Sequence, residues 1–257
     1  MSSRVPPDAP PVLLVTGAAG GIGGAVVDLA ERTGEWTVVS WDVRPAEPTR
    51  TRSAVVDAAD PAAVTHALDT CEAEHGPVRA LVHAAGVLRP DDPLDPDPDT
   101  WAELLRVNAV GTAVTCGIVA ERMAARGAGA VVGVTSNAAS TPRVEMAAYA
   151  ASKAAAASLL RSLGLRVAGS GVRVNAVSPG STLTPMLTDV HPGRGADELE
   201  TAVVAGRPED FRLGIPLGRV ARPTDVAEAC LWLASDAARH VTLHDLRVDG
   251  GATLDNR

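Results

Sequence analysis

The sequence predicts an α/β protein built on one doubly wound parallel sheet with helices on both faces. Three observations carry this. Short apolar runs alternate along the chain with longer stretches of helical period. The runs are apolar throughout, not on every second residue. The first run ends in a glycine-rich turn that opens a helical stretch. Runs without alternation mark strands covered on both faces, and strand–helix–strand order requires parallel strands joined by helical crossovers. The chain has 257 residues, a length that suits one domain or at most two. The expected organisation is a loose, Pro-rich tail over 1–11 and a single domain over 12–257.

The elements follow in order. VLLVTG (12–17) is the first strand, and the amphipathic GIGGAVVDLAERT follows its turn. WTVVSWD (36–42) is the second. PAAVTHALDTCEAEHG has a helical period, with Pro61 in the first turn, where its missing N–H is no loss. VRALVHAAG (78–86) is the third strand. RPDDPLDPDPD (89–99) is a turn, dense in proline and aspartate. Residues 100–127 predict one long helix with Asn108 midway. GAVVGVTS (129–136) is a fourth strand, AAYAASKAAAASLLRSLGLRVAG a strong helix, and VRVNAVSPG (172–180) a fifth strand. TDVAEACLWLASD is a helix opened by Pro223 and Thr224, and LRVDGG (246–251) a last strand.

Composition narrows the function. The net charge of -8 argues against a nucleic-acid binder, which carries a basic patch or stripe. Cys71, Cys116 and Cys230 are widely spaced, with no Cys-x-x-Cys pair, so neither a disulfide framework nor a metal site is expected and a reducing cytoplasm is the simplest home. No signal peptide is apparent, and no apolar run reaches the ~18 residues of a membrane helix.

TGAAGGIG (16–23) lies between the first strand and the first helix, the context that gives a glycine pattern its weight. Gly17 turns the chain, Gly21 admits a pyrophosphate, and Gly23 lets the helix approach the sheet. Free N–H groups and the helix dipole then favour an anion. The sheet is therefore of Rossmann type. Asp42 ends the second strand, where an acid about 20 residues on accepts bonds from the adenosine ribose and repels a 2′-phosphate. NAD is thus favoured over NADP, with Arg44 a weak argument the other way.

The chain has a single tyrosine, Tyr149, four residues before Lys153 in a helical stretch and so on the same face. Ser136 ends the preceding strand. TGAAGGIG, HAAG, Asn108, Ser136, YAASK and SPG, in this order, resemble the short-chain dehydrogenase/reductase family from Val12 to Gly251. The resemblance implies that Tyr149 is the general acid/base. Lys153 lowers the phenol pKa and holds the nicotinamide ribose, Ser136 binds the substrate oxygen, and Asn108 holds a water linking Lys153 to solvent. A phenol brought from about 10 to about 7 needs roughly 4 kcal/mol of help. The resemblance also implies cofactor contacts from Gly17, Ala19, Gly21, Ile22, Asp57, Ala84, Ala85, Gly86, Pro179, Gly180, Thr182 and Thr184. His83 stands where the family usually has asparagine, and is expected to be a buried, satisfied histidine.

AAGVLRP, SNAASTPRVEMAAYAASK, GLRVAGSGVRVNAVSPGSTLTPM and the stretch from FRLGIPLG to GGATL resemble one branch more closely, the 2,3-dihydro-2,3-dihydroxybenzoate dehydrogenases of catechol siderophore synthesis. That implies oxidation of a ring alcohol of a cyclohexadiene carboxylate, aromatisation, and a homotetramer. Arg89 or Arg143 would bind the carboxylate bidentately, Met146 would line the pocket, and residues 185–213 would form its lid. The alternatives are a dihydro-3-hydroxyanthranilate dehydrogenase, a 3-oxoacyl-carrier-protein reductase, a sugar or steroid dehydrogenase, or a non-enzymatic dinucleotide sensor.

Overall fold

The computed structural model describes residues 9–46, 50–190, 193 and 195–254. Residues 1–8 of the expected tail, and residues 191, 192 and 194 of the expected lid, lie outside the described residues. Seven parallel strands form one sheet: β1 (Val12–Thr16), β2 (Thr37–Asp42), β3 (Ser53–Val55), β4 (Val78–His83), β5 (Gly129–Val134), β6 (Val172–Pro179) and β7 (Asp245–Val248). Their spatial order is β3-β2-β1-β4-β5-β6-β7. The order reverses at β1, which lies between β2 and β4, and opens a crevice at the carboxyl ends of those strands.

Helices cover both faces. Against one lie α2 (Pro61–His75), α4 (Gly111–Arg126) and α5 (Ala147–Val167), packed through Leu68, Val119 and Leu160. Against the other lie α1 (Gly21–Thr33) and α8 (Pro223–Ala234), through Val27, Cys230 and Leu233. Asp60 caps α2 by accepting the N–H groups of Ala62 and Ala63, with Pro61 next in line. The α1 start has no side-chain cap, so its N–H groups are left for something else.

Three predictions needed correction. β3 was missed because an edge strand of three residues with two exposed side chains shows no apolar run. The last strand stops at Val248, before Gly250 and Gly251, which take positive φ. The long helix is broken in character: α3 (Pro98–Leu104) and α4 are joined by a π-helical stretch, Leu105–Val110, that contains Asn108. By length and composition alone, residues 98–126 pass for a membrane span, through an 18-residue window of mean hydropathy 1.3. In the fold this is a core element, with Cys116, Val119, Ala120 and Met123 fully buried against the sheet.

Candidate active site

The glycine-rich turn is packed at backbone level. Gly17 has φ +69°, and a Cβ there would lie 2.6 Å from the Ala84 carbonyl. A Cβ on Gly23 would lie 2.2 Å from Gly17 O, which explains the close approach of α1. The missing Cβ of Gly21 also makes room for the Thr184 side chain, 2.5 Å from where that Cβ would be. Thr184 is thereby seated over the loop from the far end of the chain.

Asp42 accepts the N–H of Ala19 at 3.0 Å through one oxygen and that of Arg44 at 3.0 Å through the other. The acid and the turn are thus one unit. A cavity of about 590 Å³ runs from this turn past Asp42, Asp57 and the Ala84–Ala85–Gly86 loop to Thr184, with Ile22 in its wall. Asp57 accepts from Ala59 N–H at 2.9 Å and pairs with Arg106. An uncapped helix start, a turn too tight for any Cβ and a strand-end carboxylate fit a dinucleotide: phosphates at the helix, ribose at Asp42.

A second cavity, about 340 Å³, adjoins the first and shares Ile22, Ala84, Gly86 and Thr184 with it. It is lined by Ser136, Met146, Tyr149, Lys153, Pro179, Gly180 and Thr182. Ser136 follows β5 and caps a short 3-10 turn by accepting Ala138 N–H at 3.1 Å. Its hydroxyl lies near enough to the Tyr149 phenol to lower that group's pKa. Lys153, one turn along α5, donates to Val134 O at 3.0 Å, and its Nζ sits 6.0 Å from the Tyr149 ring centre. Burial lowers the Lys153 pKa to about 8, so the ammonium persists at pH 7. Tyr149 departs from expectation. Burial raises its phenol above the ordinary value, and the Ser136 hydroxyl works against that rise. The protein's own groups leave the phenol neutral at pH 7.

Asn108 braces the loop after β4 against α5. Its Oδ1 accepts Val87 N–H, and its amide donates to Val87 O and to Ser152 Oγ, each at 2.9 Å. Ser152 in turn donates to Tyr149 O at 2.7 Å. The wide π turn lets Asn108 tie the loop after β4 to α5. Gly86 has the same logic: a Cβ there would lie 3.0 Å from Asn108 Oδ1 and 3.1 Å from Lys153 Nζ. Ser152 carries no sequence signal beyond its place in YAASK.

His83 is buried at the end of β4, but only half satisfied. Its Nδ1 shares a 2.8 Å hydrogen bond with the Thr16 hydroxyl, and Nε2 has no partner among the described residues. Burial, then the Lys153 charge, lower its pKa to about 3. Between pH 6.5 and 3 the unfolded chain therefore binds a proton that the folded chain refuses. The stability is whole above about pH 6.5 and drains away as pH falls towards 3. The expected outcome is a Tm that drops across this window, with a shallower drop in His83→Asn; scanning calorimetry from pH 7 to pH 4 on both proteins checks it.

Of the two arginines assigned to the substrate, only Arg143 lines the second cavity. Arg89 donates to Glu103 at 2.9 Å, and to Leu88 O, along the wall of the first. Two arginines the sequence did not single out join Arg143. Arg207 and Arg212 bond to each other's backbone across a tight hairpin after α7 (Ala196–Ala205). Met146 lines the second cavity and packs against the cluster of Leu104, Ala138, Ala148 and Tyr149.

A dinucleotide crevice that opens on a phenol, a hydroxyl and an ammonium defines an oxidoreductase of the nicotinamide-dependent class. More narrowly, the chain belongs to the short-chain dehydrogenase/reductase family: a family model described as Enoyl-(Acyl carrier protein) reductase matches residues 17–253. The chain is 39% identical over 253 residues to the 2,3-dihydro-2,3-dihydroxybenzoate dehydrogenase of Bacillus subtilis (strain 168), covering 95% of this chain and 96% of the relative. It is 41% identical over 240 residues to the enzyme of the same name from Escherichia coli (strain K12), covering 93% and 96%. The fold matches Thermoplasma acidophilum aldohexose dehydrogenase in its ligand-free form, with a TM-score of 0.86, 26% identity and 96% and 95% coverage. The chain is thus an enzyme of this family, and the non-enzymatic sensor falls away.

Proposed function

We propose that the protein oxidises a ring alcohol of 2,3-dihydro-2,3-dihydroxybenzoate with NAD, giving the aromatic 2,3-dihydroxybenzoate. One observation carries the reading. The Ser136–Tyr149 pair opens onto a cavity of about 340 Å³ whose wall also bears Arg143, a shape and charge for a small alcohol with an acid on the same ring. The two relatives with 39% and 41% identity, both named for that substrate, support it.

Tyr149 takes the alcohol proton and Ser136 holds the same oxygen as charge develops on it. Lys153 and Asn108 keep that geometry, the first through Val134 O and the second through Val87 and Ser152. A nicotinamide dinucleotide held there would supply the hydride acceptor and, in its oxidised form, a positive charge that favours phenolate. Gly17, Ala19, Gly21 and Ile22 would hold its phosphates, Asp42 its ribose, and Asp57, Ala84, Ala85 and Gly86 its adenosine end. Pro179, Gly180, Thr182 and Thr184 would border the nicotinamide. NAD is preferred because the Asp42 carboxylate meets a 2′-phosphate with like charge. Asp42→Ser is expected to raise the KM for NAD about tenfold and to bring measurable NADP turnover, read from parallel titrations of the two cofactors. The working form is a homotetramer in the cytoplasm, which light scattering of the purified protein tests.

The test is NADH absorbance with NAD and trans-2,3-dihydro-2,3-dihydroxybenzoate, and separately with trans-2,3-dihydro-3-hydroxyanthranilate. Fast turnover of the first and not the second is expected. The reverse would assign the amine substrate, and turnover of neither would send the search to another alcohol.

A further inference from the structure

Three guanidinium groups line the cavity beyond Tyr149, in a protein of net charge -8. Their pairing differs. Arg207 is neutralised, bonded to Glu145 Oε2 at 3.2 Å and paired with Asp210. Arg143 and Arg212 have no carboxylate within ion-pair distance among the described residues. Arg143 donates only to its neighbour Pro142 O, at 3.2 Å, and Arg212 to Ser181 Oγ at 2.9 Å. Both are partly buried. Burial lowers both pKa values. The Arg212 charge lowers that of Arg143 further and Arg207 lowers that of Arg212, while Asp249 and Asp210, beyond ion-pair distance, act the other way on Arg143 and Arg212. Half-buried like charges that face one another cost free energy unless an anion joins them.

The scaffold holds the two in place from different sides. Arg143 sits in the loop between β5 and α5, a few residues before Tyr149. Arg212 sits in the hairpin whose Arg207–Arg212 backbone pair is closed at Gly206, φ +79°, where a Cβ would lie 2.6 Å from Arg212 O. Each guanidinium has five N–H donors in a fork that matches a carboxylate, and most of these have no partner among the described residues.

We infer that Arg143 and Arg212 form a two-sided clamp for the carboxylate of the substrate, with Arg212 the specificity-determining partner. This rests on the reading of the protein as a dehydrogenase of a ring carboxylate. Arg89, held by Glu103, has no part in it, and Arg207 is excluded by its own acids.

The first test needs no variant and no turnover. With NAD present, benzoate should raise the Tm of the wild-type protein and benzamide, the same ring without the charge, should not. Equal shifts from both, or none from benzoate, overturn the clamp. The second test is kinetic, on the dihydrodiol acid and its neutral methyl ester. In Arg212→Gln the acid-over-ester ratio of kcat/KM should fall about 30-fold or more, and Arg212→Lys should recover part of it. Arg143→Gln should lower the same ratio, and the double variant should lose less than the product of the two. An unchanged ratio in Arg212→Gln overturns the assignment even if the acid is turned over. An Arg212-dependent benzoate shift without turnover of any dihydrodiol leaves the clamp standing and removes the proposed substrate.

Discussion

Tyr149→Phe is expected to lower kcat by about 10³-fold or more while NAD still binds. The change removes one oxygen and keeps the ring that packs with Leu104, Ala138 and Ala148. Its hydroxyl is buried beside Ser136, so the fold loses about 1 kcal/mol. Ser136 retains its bond from Ala138 N–H. No other phenol exists in the chain to take over, and the Lys153 ammonium is held on Val134 O. Trp41 lies in the wall of the dinucleotide cavity, so quenching of its fluorescence reads NAD binding independently of turnover. If Tyr149→Phe keeps more than a tenth of the wild-type kcat, the proton does not pass through Tyr149.

Gly23→Ala is expected to destabilise the protein by about 3 kcal/mol or more and to abolish dinucleotide binding. The added methyl would lie 2.2 Å from Gly17 O, 2.7 Å from Gly17 C and 3.2 Å from Ala18 Cα. All three are backbone, so no side chain can swing away. Gly17 cannot retreat either, since it abuts the Ala84 carbonyl, and the same displacement would drag Ala19 N–H off Asp42. Gly117 in α4 supplies the contrast. A Cβ there meets nothing within 4 Å, and Gly117→Ala should stabilise by about 0.5–1 kcal/mol, as in any helix interior. Thermal melts with and without NAD separate the two cases. A Gly23→Ala protein that melts and binds like wild type would mean that the turn has slack the geometry denies.

The two glycine changes share one chemistry and opposite outcomes, and that difference marks what was legible in the sequence. Gly23 was readable because its neighbours in TGAAGGIG form the motif themselves. The strands β1, β2, β4, β5 and β6 were readable because burial on both faces leaves unbroken apolar runs. Tyr149, Lys153 and Ser136 were readable because helical period and strand end place them within one short segment. In each case the signal spans no more than about twenty residues.

What lay outside the sequence depends on partners far along the chain. β3 exists only because its backbone pairs with β2 at the sheet edge. The π turn at Asn108 answers bonds to Val87 and Ser152. Gly21 also makes room for Thr184. The raised Tyr149 phenol reflects burial that composition does not show. Above all, Arg89, Arg143, Arg207 and Arg212 are the same residue in the sequence, and only packing decides which find a carboxylate. Glu103 claims the first and Glu145 with Asp210 the third. The sequence by itself determined the fold class and the glycine-rich turn, since local pattern and backbone sterics dictate them, and its resemblance to a family supplied the roles expected of Ser136, Tyr149 and Lys153. The tertiary structure alone decided where positive charge remains unpaired, because a charge acts on whatever the fold brings within a few ångströms of it.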